Sequence, residues 1–244
     1  AADGAHHAPI PAGLLPMRQA CLARPQGASG LPPAGIGVLG YSARMNPDLM
    51  QEIAAAAAAL VVDEGLEYGS AKRRALKQLG LPPRTPLPDN LAVEAAVREH
   101  LAIFHADTQP AELQALRELA LVWMERLAEF QPHLGGAVWH GTATELSDIY
   151  LQLFSDDPKA VELALINRGV DYEARSVNGL HGHQVEALSL RSRCEPLQTW
   201  VGVHLLVNDG GDFRGALLRD AAGRKPRGDA RALRERMAQE ASVP

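Results

Sequence analysis

The chain has 244 residues, 46% of them hydrophobic, enough to bury a sizeable core in one large domain or two small ones. Its formal charge is -5, from 24 Lys and Arg against 29 Asp and Glu, which excludes a global pull toward nucleic acid or anionic membrane and leaves only local polyanion contacts. Cys21 and Cys194 lie far apart without CxxC spacing, so neither a disulfide framework nor a thiolate metal site is expected, and a reducing cytoplasm fits.

Residues 1–44 are rich in Ala, Gly and Pro, carry one acidic residue, Asp3, and show no sustained apolar period. A disordered or linker-like leader is expected, without the residue order of a secretory signal. Met45, just before the first periodic segment, is a candidate start of the native chain. GIGVLG (Gly35–Gly40) satisfies G-x-G-x-x-G, but LPPA precedes it where a dinucleotide-binding loop needs a strand, so it reads as linker.

Residues 45–110 read as helical. Leu49, Ile53, the alanine run, Leu60 and Val61 form one apolar stripe ended by Gly65. A second helix, 70–79, has Ser70 as its expected cap and Gly80 and two prolines as its stop. Its Lys72, Arg73, Arg74 and Lys77 are candidates for a local polyanion contact. After the proline-rich LPPRTPLPDN, helices are expected over 91–104 and 110–130, separated by HADTQP. The longest apolar run, 53–62, falls short of the ~18 residues that a membrane span requires, so no membrane association is expected.

After Pro132 the pattern changes to alternation and short apolar runs. AVWHG, DIYLQLF, VDYEARSV, HQVEALSLRS and TWVGVHLLV read as strands, and DPKAVELALINRG as an inserted helix. The tail, 221–244, is basic and ends in a helix. Trp123, Trp139 and Trp200 sit inside apolar runs and are expected to pack in the core, with Trp139 placed to stack on a base as the alternative.

The order helix, glycine-rich turn, SDI strand, helix, then several strands resembles the core of the nucleotidyltransferase (DNA polymerase beta-like) superfamily. That family's signature has two glycines followed by Ser-Asp-hydrophobic-Asp-hydrophobic, and Gly136, Gly141, Ser147, Asp148, Ile149 and Leu151 fall on it. The resemblance covers roughly residues 111–210, and the nucleotidyltransferase-like domain it implies is expected over 111–220. It implies an α+β fold: a helical N-terminal part, then a mixed β-sheet core with flanking helices.

It also implies transfer of a nucleoside monophosphate from an NTP to an acceptor. Asp148 and Glu186 would be the catalytic carboxylates and the ligands of Mg2+ or Mn2+, with Gly136, Gly141, Thr142 and Ser147 around the nucleotide phosphates. The chain departs from the signature at Ala137, at His140 and, most seriously, at Tyr150, which stands where the second metal-binding aspartate belongs. Residues two apart in a strand share a face, so Asp-x-Asp sets two carboxylates side by side. With Tyr150 one remains, and Gln152, Asp156 and Asp157 are candidate replacements. A different class of reading keeps the fold without the chemistry: a non-catalytic nucleotide- or nucleic-acid-binding regulatory protein.

His181 and His183, with His140, are candidate metal ligands, although VNGLHGH reads first as a surface turn. The stretch from Ile53 to Gly80 faintly resembles the first helices of a helix-turn-helix regulator, but no recognition helix follows. Ser147 lacks a GxSxG elbow, and no P-loop occurs anywhere in the sequence.

Overall fold

The computed structural model describes residues 47–180, 182–220 and 223–242. The leader, with GIGVLG and Met45, therefore lies outside the described residues, as does His181. Among the described residues the protein is α+β, with eight α-helices and six strands in one mixed sheet.

Three helices form the N-terminal part: α1 (Pro47–Glu64), α2 (Tyr68–Gln78) and α3 (Asn90–Phe104). Alanines at 54, 57 and 58, all buried, provide small surface for close helix packing. They join Ile53, Val62, Leu76, Val93, Val97 and Leu101 in a separate small core. Asp89 caps α3 by accepting the Ala92 N–H at 2.7 Å. The expected Ser70 cap is not used. Helix α2 begins earlier, after Glu67, without a side-chain cap, and Ser70 instead accepts from Arg73. Gly80 does end the helix, at φ +66°.

The larger core lies between the sheet and α4 (Gln109–Arg126), α6 (Pro158–Asn167) and α8 (Ala230–Ala241). The strands are β1 (His133–Gly135), β2 (Ile149–Phe154), β3 (Glu173–Asn178), β4 (Gln184–Cys194), β5 (Thr199–Asn208) and β6 (Arg227–Gly228). They lie in the order β3-β4-β5-β2-β1-β6, and of the neighbouring pairs only β2 and β5 are parallel. The parallel pair is consistent with an intervening crossover, and α6 lies within the β2-to-β5 connection.

AVWHG is not a strand. Gly136, at φ +68°, turns the chain out of β1, and Gly136–His140 form the short helix α5, closed by Gly141 at φ +82°. Cys194 is a buried free thiol. No helix among the described residues is long and apolar enough to cross a membrane.

Strand parity divides the sheet into two faces. Ile149, Leu151 and Leu153, Val201, Val203 and Leu205, and Leu188 and Leu190 point into the helix-covered core. The opposite face carries Tyr150, Gln152, Ser189 and His204. A 3-10 turn (Gly210–Asp212) leads into α7 (Phe213–Ala216), and Phe213 closes one end of this second face with edge-on ring contacts to Phe154 and His133 at 5.2 and 5.4 Å. The end that carries Asp148 lies at the far side of β2 from that aromatic cluster.

Candidate functional site

Asp148 immediately precedes β2 and is one-quarter exposed. Its Oδ1 accepts the Gly202 N–H at 3.2 Å, and its Oδ2 lies 3.2 Å from His204 Nε2. On the other side of the ring, His204 Nδ1 lies 3.0 Å from Ser189 Oγ. With Nε2–H donating to Asp148, Nδ1 accepts the Ser189 hydroxyl proton, an assignment that gives every group a partner. The pairing explains the alignment, because Tyr150, His204 and Ser189 are direct cross-strand neighbours. The Tyr150 ring stacks on His204 with centroids 4.8 Å apart.

Ser189, His204 and Asp148 contain the residue types of a nucleophilic triad, but the geometry is not one. Ser189 is 4% exposed, and its hydroxyl is on Nδ1 while the carboxylate is on Nε2, the reverse of the arrangement that activates serine. The chain Ser189–His204–Asp148 instead holds the aspartate in place.

The sheet does not bring Asp148 and Glu186 together, which corrects the expected catalytic and metal-binding pair. Glu186 pairs with Val207, whose side chain belongs to the core face, so Glu186 leaves the sheet on the helix side. There it meets Lys159 of α6 at 3.5 Å. Asp148 leaves on the other side, level with Gly202 and Arg191. Glu186 precedes Arg191 by five residues on β4, a displacement of roughly 16 Å.

The candidate replacements do not complete a site at Asp148 either. Gln152 is buried, and its Oε1 accepts from Asn208. Asp157 caps α6 through the Lys159 N–H at 2.9 Å. Asp156 lies with it beyond the far end of β2, beside Gly210.

Of the residues expected around phosphates, Gly136 lies against Tyr150, 3.7 Å from where a Cβ would stand. The other three turn away. Gly141 lines a cleft of about 420 Å³ with Arg98, Gln109, Arg117 and His140. Thr142 is buried and gives its N–H to Ala137 O, and Ser147 Oγ accepts the Thr144 N–H.

Next to Asp148 on the same face the strands carry an aromatic and two arginines. Trp200 is 54% exposed, which corrects its expected place in the core. Arg191 lies over its ring at 5.7 Å, and Arg193 is its cross-strand neighbour. The other tryptophans are buried: Trp123 donates to Ser192 Oγ, and Trp139 to Lys225 O beneath the Arg236 guanidinium. Trp139 is thus a core residue rather than a base-stacking one.

Two of the four cations on α2 are held within the helical part. Lys72 donates to Pro88 O and Asn90 Oδ1, and Arg74 pairs with Glu64. Arg73 and Lys77 are exposed, and Arg73 reaches Ser70 Oγ on its own helix, at 3.4 Å. His183 sits in the turn between β3 and β4, where Gly182 has φ +78°, as the surface-turn reading requires. His140 is on α5, where burial pushes its pKa below the usual 6.5 against the pull of Glu94.

Sequence reasoning passed over His204 and a second cluster, Asp63 with His100 and His105. A histidine out of phase with Val203 and Leu205 in an otherwise apolar strand was the available signal for His204.

No protein-family model matches the chain, and no curated protein matches it significantly.

Proposed function

We propose that the protein binds a nucleotide at the Asp148 end of the open sheet face and does not transfer it, as a non-catalytic protein with a nucleotidyltransferase-like plan. One arrangement carries the proposal: Asp148 shares its face with the exposed Trp200–Arg191 pair and Arg193, while its paired and adjacent neighbours on that face, Gly202, Arg191, Tyr150, His204 and Ser189, include no second carboxylate.

Each part has a chemical role. Trp200 offers a stacking surface for a base, worth about 1–3 kcal/mol, and Arg191 supplies the fork that pairs with phosphate oxygens, with Arg193, held at the hairpin by Glu195 at 3.7 Å and Gln198 at 3.2 Å, as a further positive charge. Asp148 would repel bare phosphates, so the nucleotide is held with Mg2+ or Mn2+ between the carboxylate and the phosphate chain. A negative overall charge favours a small anionic ligand held locally over a long polyanion. Transfer by the two-ion route needs carboxylates converging on both ions, and Tyr150 and His204 stand at the neighbouring positions instead.

The test is calorimetric titration of the full chain with each NTP, with and without Mn2+, alongside pyrophosphate release. The expected result is metal-dependent binding, weakened about 5- to 150-fold by Trp200→Ala and lost in Asp148→Asn, with no pyrophosphate formed. Binding untouched by Trp200→Ala would refute the proposed site. Pyrophosphate release that Asp148→Asn abolishes would replace binding with transfer.

A further inference from the structure

Asp63 stands one residue before the end of α1, His100 lies in the last turns of α3, and His105 is the C-cap of α3. Asp63 Oδ1 lies 3.5 Å from His100 Nε2 and 3.4 Å from His105 Nε2. The three ligand atoms all fall within 4.8 Å of one another.

Those lengths are informative. An N–H···O hydrogen bond has its donor and acceptor about 2.7–3.2 Å apart, and both contacts exceed that. Ligands bound to zinc at about 2.0–2.2 Å in a tetrahedron are separated by an edge of about 3.4 Å. Both carboxylate-to-imidazole distances fit the edge. The third separation, between the two Nε2 atoms, closes by side-chain rotation, for which there is room: His105 is 30% and Asp63 52% exposed, whereas His100 is held at 17%.

The backbone beneath is fixed. Val62 beside Asp63, and Val97 and Leu101 around His100, are all buried in the small core that packs α1 on α3. Asp63 and His100 therefore project from two helices locked together, and His105 follows directly on α3, its N–H bonded to Leu101 O, which preorganises the site.

We propose that Asp63, His100 and His105 bind one divalent d-block ion of the zinc class, with a water molecule at the fourth position. Two imidazoles and one carboxylate select Zn2+, Co2+ or Ni2+ over Mg2+ and Ca2+, which take all-oxygen sets. Three protein ligands leave one position open to an exchangeable ligand, as in sites where the ion acts as a Lewis acid. The ion also clips the end of α1 to the junction between α3 and α4. This site is separate from the nucleotide-binding reading, and neither depends on the other.

The test uses the full chain, stripped with a chelator and titrated with Zn2+ in a calorimeter and with Co2+ in a visible spectrometer. The expected result is one equivalent of each ion at this site, with the intense visible absorption of four-coordinate Co2+ displaced by Zn2+, and a melting temperature raised by Zn2+. His100→Ala with His105→Ala should weaken binding at least about 100-fold, since loss of orienting neighbours alone costs 10- to 100-fold. Asp63→Asn, an exposed change that leaves the helices intact, should remove the four-coordinate spectrum. Paired His6→Asn/His7→Asn and His181→Asn/His183→Asn variants should keep both. If the His100/His105 variant or Asp63→Asn binds and absorbs like the parent chain, or if binding disappears with the His6/His7 or His181/His183 pair, the proposal is overturned.

Discussion

Gly202→Ala tests the seat of Asp148 by displacing its carboxylate without replacing the residue. A Cβ at position 202 would stand 2.6 Å from Asp148 Oδ1, 2.8 Å from its Cγ and 3.2 Å from its Oδ2, so the carboxylate must swing away. It then loses the Gly202 N–H and the His204 contact, and leaves His204, 6% exposed, short of a partner. Hydrogen bonds to a charged group are worth about 1.5–3 kcal/mol each. Both bonds here are long and the carboxylate is partly solvated, so about 2 kcal/mol is expected for the pair. Gly202 is not among the positive-φ residues, so alanine returns about 0.5 kcal/mol by restricting the unfolded chain.

The net cost of Gly202→Ala is about 1.5 kcal/mol, a urea midpoint shift of about 0.5 M for a slope of about 3 kcal/mol/M. Tryptophan fluorescence is the suitable probe, since Trp123, Trp139 and Trp200 all lie in the sheet-bearing part. In an Asp148→Ala background the clash is gone, and Gly202→Ala should cost nothing or stabilise slightly. The coupling in the double-mutant cycle should therefore be about 1.5–2 kcal/mol. Equal costs in both backgrounds would refute the reasoning, because the obstruction would then not be Asp148.

Glu94→Gln should destabilise the chain by about 2 kcal/mol in urea unfolding, because this largely buried carboxylate holds Arg224 through both oxygens, at 2.7 and 3.1 Å, and Arg98 as well. Gly228→Ala should cost about 3 kcal/mol by thermal melting. Its Cβ would stand 2.2 Å from Trp139 Cη2, and that ring is held by Lys225 O and Arg236. Stability should fall as pH drops below 6.5, because burial lowers the pKa of both His133 and His140 in the folded chain. Protons then bind the unfolded chain more readily, so the stability present above 6.5 declines toward the folded pKa values. Urea midpoints at pH 7.5 and 5.5 check this, and the gap should narrow in a His133→Gln/His140→Gln variant.

Most elements were legible because their apolar period is long. Residues 49–61 and the runs beginning at Ile149, Val185 and Trp200 could hardly fold otherwise. AVWHG was misread because five residues between glycines show no decisive period, and the outcome rests on Gly136 adopting a positive φ. Trp200 was misassigned because a strand near a hairpin end keeps an apolar sequence while one face stays open. The Asp148 and Glu186 pairing failed on parity, and parity was readable. Glu186 is in phase with Leu188 and Leu190, whereas Asp148 is out of phase with Ile149, Leu151 and Leu153, so one faces the core and the other does not. The contacts of Asp63 with His100 and His105 were out of reach, since they depend on how α1 packs on α3.

The most direct measurement for the nucleotide-binding claim is the response of the indole N–H resonances to nucleotide. The chain has three tryptophans, and two of their indoles are tied to Ser192 and Lys225. Assigned through Trp→Phe variants, the Trp200 resonance should shift on addition of a nucleotide with Mg2+, while those of Trp123 and Trp139 stay within line width. A static Trp200 signal at saturating nucleotide, or a shift confined to Trp139 beside the Gly136 turn, would contradict the account.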